Sequence, residues 1–112
     1  MDYATQFVGK IVEVTVDRSL GSKHPKYDYL YPVNYGHIKG VLAPDKEEVD
    51  AYILGINKPI GKFVGKCIAV IHRINDDDDK LIVVPEGLDF SDVDIKKLTK
   101  FQEKYFSSNI IR

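Results

Sequence analysis

"NYGHIKGVLAPDKEEVDAYILGI", residues 34–56, holds two strand-like runs, Asn34 to Leu42 and Asp50 to Ile56, with a turn between them. Both are rich in β-branched, aromatic and aliphatic residues and are closed by Gly, Pro or acidic residues, the usual marks of strands. Between them Asp45, Glu47, Glu48 and Asp50 crowd together just before an apolar strand. In an extended chain Asp45 and Glu47 share one face and Asp50 takes the other. The three carboxylates converge only if the chain turns between Lys46 and Val49, and Pro44 suits a turn.

Outward from this stretch the pattern repeats. Downstream, "GKCIAVIHRI" and "KLIVVP" flank "NDDDDK", Asn75 to Lys80, where a hairpin would return a second acid cluster over the end of the sheet. Upstream, "GKIVEVTVD", Gly9 to Asp17, alternates Ile11 with its neighbours, although the valines thicken both faces. This spacing of short strands is that of a small barrel or sandwich. Arg18 to Pro32 is a long loop of Gly, Ser, Lys, His, Pro and Tyr, and loops of that size inside a compact domain usually carry function.

The last element changes period. Ser91 suits an N-cap, and Val93, Ile95, Leu98, Phe101 and Tyr105 fall near one face of a helix. Asp92 and Asp94 at its start and Lys100 and Lys104 at its end complement the helix dipole. The expected order is therefore about five strands followed by one helix, within one domain covering residues 1–112.

Composition narrows the function. Acids and bases nearly balance, 17 against 16, which argues against a nucleic-acid partner. Cys67 is the one cysteine and sits in an apolar run, so no internal disulfide forms and the thiol reads as a core filler. The start has no secretory pattern and no stretch approaches a membrane span, so a cytoplasmic protein with no membrane partner is expected. His24, His37 and His72 lack the spacing of metal ligands.

The acids suit hard cations. Mg²⁺ takes oxygen ligands in near-octahedral geometry and is commonly held by one or two carboxylates plus substrate phosphates. Solvated turns explain acidic loops equally well, but an acid such as Asp50 entering an apolar strand is costly unless something compensates it. Four consecutive aspartates also repel one another, which a bound cation or an exposed hairpin tip relieves.

"YPVNYGHI", residues 31–38, then "APDKEEVDAYIL" and "DDKLIVVPEG", in that order and spacing, resemble the soluble Mg²⁺-dependent inorganic pyrophosphatases. The resemblance covers residues 29–87, with a weaker match in "FQEKYF". It implies a mainly β (α+β) fold, a small closed five-stranded OB-like β-barrel with a C-terminal helix packed on it. It also implies hydrolysis of pyrophosphate to two phosphates with several Mg²⁺ ions, for which Mn²⁺ or Zn²⁺ substitute, and self-association, which the apolar tail "NIIR" would serve.

Carried over residue by residue, it implies that Asp45, Asp50 and Asp78 ligate the principal metal and that Asp76 or Asn75 lies near a further one. Glu47 stands at the attacking water, where the family has Asp. Tyr35, Lys80 and Tyr105 approach the phosphates. Phe106 replaces a phosphate-binding Lys, and Glu48 replaces a Pro. The family's upstream cations do not align with "DRSLGSKHPKYDY", so Arg18, with Lys23 or Lys26, takes their place from another backbone position. These departures keep two alternatives open: a phosphohydrolase of a nucleotide or polyphosphate, and a non-catalytic, metal-dependent phosphate- or nucleotide-binding module.

Overall fold

The computed structural model describes residues 3–74 and 78–112. A short 3-10 turn, Thr5–Phe7, leads into β1 (Ile11–Arg18), β2 (Asn34–Leu42), β3 (Glu48–Ile53), β4 (Lys62–Arg73) and β5 (Lys80–Val84). Helix α1 (Asp92–Glu103) and a last strand β6 (Ser108–Ile111) complete the chain. The sheet runs β1-β2-β3-β5-β4-β6, and β1 also pairs with β4, so the first five strands close into a barrel. Closure leaves no free edge among those five, the general solution for a small antiparallel sheet. β3 and β5 run parallel, and the other pairs are antiparallel.

The near-continuous apolar runs of β3, β4 and β5 arise because both faces of these strands are covered. Ala51, Ile53, Cys67, Val70, Leu81 and Val83 point into the barrel with Val12 and Val14. Their neighbours Tyr52, Leu54, Ala69, Ile71, Ile82 and Val84 form a second core outside it, under Ile95, Leu98 and Phe101 of α1. Each fully buried aliphatic side chain contributes about 1.5–3 kcal/mol. Cys67 sits in the inner core, where burial pushes its thiol up to about 11. In β1 the valines face inward, whereas Ile11 is half exposed.

The strands fall close to the expected runs, with β4 beginning earlier, at Lys62, and β3 spanning Glu48–Ile53 where Asp50 to Ile56 was expected. Ser91 caps α1, its side chain accepting the Asp94 N–H at 3.1 Å. The helix face differs from the apolar stripe: Ile95, Thr99 and Glu103 are buried, Val93 is exposed, and Tyr105 lies beyond the helix end. A charged residue occupies the buried face because it has a buried partner, described below. The tail "NIIR" supplies Asn109, Ile110 and Ile111 to β6, paired with His72, Ile71 and Val70 of β4. Among the described residues no helix is long and apolar enough to cross a membrane.

Candidate active site

Asp45 and Glu47 lie on a tight turn between β2 and β3, and Glu48 and Asp50 follow on β3. The Ala43 N–H donates to Glu47 O at 2.8 Å, the Lys46 N–H donates back to Ala43 O at 2.9 Å, and Lys46 takes a positive φ of 69°. Asp45 Oδ1 accepts the Glu47 N–H at 3.0 Å, a side-chain turn of the kind aspartate favours. The reversal lies one or two residues before the expected place, so β3 already begins at Glu48. Glu48 accepts the Gly40 N–H and pairs with His37 Nε2 at 3.3 Å. The other ring nitrogen of His37 meets Asp17 at 3.1 Å, so two carboxylates hold the imidazole.

Parallel pairing of β3 with β5 sets Asp50 opposite Lys80. Lys80 Nζ lies 2.6 Å from Asp50 and 2.8 Å from Asp78, and its side chain is only 2% exposed. An ammonium that deep in a protein needs such compensation, and one carboxylate on each side supplies it. Tyr35, one strand away on β2, lies close enough to Asp50 to feel its charge. Burial first, and then the Asp50 charge, push its phenol well above the usual tyrosine range, so it stays a donor.

The aspartate run divides by role. Asp78 faces the site, whereas Asp79 is buried and structural, within 3.1 Å of His72 Nδ1 and accepting the Arg73 N–H at 3.2 Å. Asp76 and Asn75, expected near a further metal, lie outside the described residues.

Two hollows meet here, sharing Asp17, Asp50 and Asp78. The smaller, of about 410 Å³, also gathers Asp45, Glu47, Glu48 and His37. The larger, about 640 Å³, takes in Arg18, Lys26, Tyr35, Lys80 and Tyr105. Every expected site residue among the described ones therefore lines one hollow or the other. Of the alternative cations, Lys26 reaches the cleft, whereas Lys23 pairs with Asp28 at 3.3 Å, both largely exposed. His24 lines the cleft as well, and its Nδ1 accepts the backbone N–H of Lys26 at 3.0 Å. Burial, then Arg18 and Lys26, lower its pKa from 6.5.

The cleft floor holds a residue the sequence reading missed. Arg73, at the end of β4, is buried and forms a bidentate pair with Glu103, Nε to Oε1 at 3.0 Å and Nη2 to Oε2 at 2.8 Å. Its guanidinium also lies 3.4 Å from Asp78 and 3.7 Å from the ring centre of Phe106. Phe106 thus covers a cation from its position beyond the helix. Tyr52 donates to Glu103 at 2.6 Å and accepts from Gln102 at 2.8 Å, so the buried acid of α1 is fully used. An Arg inside the apolar "AVIHRI" was the available signal, since such a charge demands a partner.

Among the described residues no three His, Cys, Asp or Glu side chains stand together as a ready metal cluster, and Lys80 holds two of the expected ligands. The donors facing the smaller hollow are nonetheless almost all carboxylate oxygens, a set that fits a hard divalent cation.

The fold has solved counterparts. An inorganic pyrophosphatase from Ehrlichia chaffeensis superposes with a TM-score of 0.69 at 22% identity, covering 91% of this chain and 85% of that one. That from Helicobacter pylori gives 0.65 at 20% identity, covering 85% and 75%, and that from Neisseria gonorrhoeae 0.64 at 22%, covering 87% and 74%. Comparison with curated proteins yields no match. The family model for inorganic pyrophosphatase matches residues 9–110. With that match spanning barrel, acid cluster and helix alike, the chain belongs to the inorganic pyrophosphatase family, which implies a divalent metal cofactor.

Proposed function

We propose that this protein hydrolyses inorganic pyrophosphate to two phosphates with Mg²⁺ as the cofactor. The observation that carries the reading is the meeting of Asp45, Glu47, Asp50 and Asp78 in one hollow that adjoins a cleft of cations and tyrosines. In the reaction the oxygen of a water bonds to one phosphorus, the bridging P–O bond breaks toward the other phosphate, and the water gives up a proton.

Asp45, Asp50 and Asp78 would hold the cation. When bound, it supplies positive charge to the phosphoryl oxygens and makes a nearby water easier to deprotonate. Glu47, on the turn, orients that water and takes its proton. Lys80 keeps Asp50 and Asp78 from repelling each other and presents an ammonium at the seam between the hollows. Tyr35, kept protonated beside Asp50, donates its hydroxyl to phosphate oxygens at the inner end of the cleft. Arg18 and Lys26 bind phosphate oxygens from the loop, and Tyr105 donates a hydroxyl at the rim.

Phosphate release from pyrophosphate by the purified protein in Mg²⁺ tests the reading. Wild-type turnover is expected, with Asp50→Asn and Asp78→Asn reducing it by at least about a hundredfold, since a misplaced electrostatic group can cost that much. Absence of release by folded wild-type protein, or full activity in both variants, would overturn it.

A further inference from the structure

The larger cleft is more aromatic and roomier than a pyrophosphate requires. Pyrophosphate is two phosphate tetrahedra sharing a corner and has no flat surface to stack. A cavity of about 640 Å³ falls in the ~300–1,000 Å³ range that suits ligands of much greater size. Its aromatic wall forms a ladder: ring centres of Tyr27 and Tyr29 lie 6.2 Å apart, Tyr29 and Tyr31 5.9 Å, and Tyr31 and Tyr35 5.6 Å.

The ladder runs from solvent to the acidic centre. Its inner rung Tyr35 lies beside Asp50, and Tyr31 is 2% exposed. The Tyr29 and Tyr31 hydroxyls are spent on Gln102 Oε1, at 3.2 and 3.1 Å, and their rings pack on Phe101. Tyr27 differs. It is 59% exposed, it lies parallel to Tyr29 within 9°, and it packs against His24 with 4.8 Å between ring centres. That buttressing holds the ring while leaving its outer side open. Arg18 and Lys26 line the same cleft as Tyr27 and the acids, close enough to His24 to lower its pKa.

A supported, exposed aromatic at one end, a carboxylate centre at the other and cations lining the same cleft match one ligand class. We propose that the cleft binds a nucleoside 5′-polyphosphate, its base stacked on Tyr27 and its phosphate chain running past Arg18 and Lys26 toward Asp50 and Lys80. The inner, phosphate end rests on the function proposed above, whereas the base platform does not. Phe106 on the opposite wall, in covering Arg73, adds apolar surface where a second phosphate-binding cation would favour a bare anion.

Calorimetric binding of ATP and of inorganic tripolyphosphate, both with Mg²⁺, tests the proposal, with pyrophosphate hydrolysis measured on the same preparations. Base stacking on an aromatic changes affinity by about 5- to 150-fold, so wild-type protein should bind ATP at least about fivefold more tightly than tripolyphosphate. Tyr27→Ala should abolish that preference and leave pyrophosphate hydrolysis unchanged, while Tyr27→Trp should preserve it. Equal affinity for the two ligands in wild-type protein, or equal weakening of both by Tyr27→Ala, would overturn it. An ATP preference in protein that does not hydrolyse pyrophosphate would uphold the platform and defeat the function proposed above, so the two readings fail separately.

Discussion

Replacing Glu103 by Ala removes one half of a buried ion pair and leaves the other half in place. Arg73 keeps its position under Phe106 and beside Asp78, but loses bonds of 3.0 and 2.8 Å to its main counter-charge. The Tyr52 hydroxyl loses its 2.6 Å acceptor in the same step. Breaking a buried pair from one side costs about 3–5 kcal/mol, and the lower end applies here because Asp78 still faces Arg73. At about 4–8 °C per kcal/mol for a domain of this size, a loss of about 3 kcal/mol lowers Tm by about 12–24 °C. Thermal unfolding followed by circular dichroism measures the shift. Arg73→Met combined with Glu103→Met should recover most of the loss, since replacing both charges by apolar groups of similar volume is often neutral. A Tm drop of a few degrees in Glu103→Ala, or a double variant no more stable than the single one, would refute the assignment of Glu103 as the counter-charge.

Two smaller tests follow from the same structure. Gly36→Ala should destabilise by more than the ~1–3 kcal/mol typical of overpacking, because the added Cβ would stand 2.0 Å from the Thr15 carbonyl oxygen, backbone that no rotamer can move; a urea midpoint equal to wild type would contradict this. His24 should titrate below 6.5, chiefly from burial and then from Arg18 and Lys26, so its contribution to stability is full above pH 6.5 and is lost as pH falls through the lower folded value. Proton NMR of the ring reads the midpoint directly, and Arg18→Ala should raise it without bringing it to 6.5; a wild-type midpoint at or above 6.5 would count against the placement of those cations.

Much of the barrel was legible because alternation survives in the first half of β1 and because the buried strands are bounded by Gly, Pro and acidic turns. The cap at Ser91 was readable for a local reason, a hydroxyl three residues ahead of the N–H it accepts. β6 was not, since a four-residue apolar tail carries no period long enough to distinguish a strand from an association segment. The site followed the same division. Asp45, Glu47, Asp50 and Asp78 were marked by their crowding near apolar strands, whereas Arg73 with Glu103 and His37 with Asp17 depend on residues 30 and 20 positions apart. Lys80 shows the difference most clearly: its sequence neighbours describe a hairpin edge, and only the pairing of β3 with β5 buries it.

That pairing has a consequence for how the chain folds. In the parallel β3–β5 ladder, Asp50 meets Lys80 and the next three rungs join Ala51, Tyr52 and Ile53 to Leu81, Ile82 and Val83. A slip of two residues would keep every side chain on its own face, so the apolar residues alone discriminate weakly against it. Slipped one way, it would strand the Lys80 ammonium in the core opposite Tyr52, at a cost of several kcal/mol; slipped the other way, it would set Lys80 opposite Glu48 and leave Asp50 facing Ile82. The Asp50–Lys80 contact thus favours the native alignment of β3 against β5 over a slipped one. These two positions carry register as well as the charge of the site, and a substitution that neutralises either one weakens both.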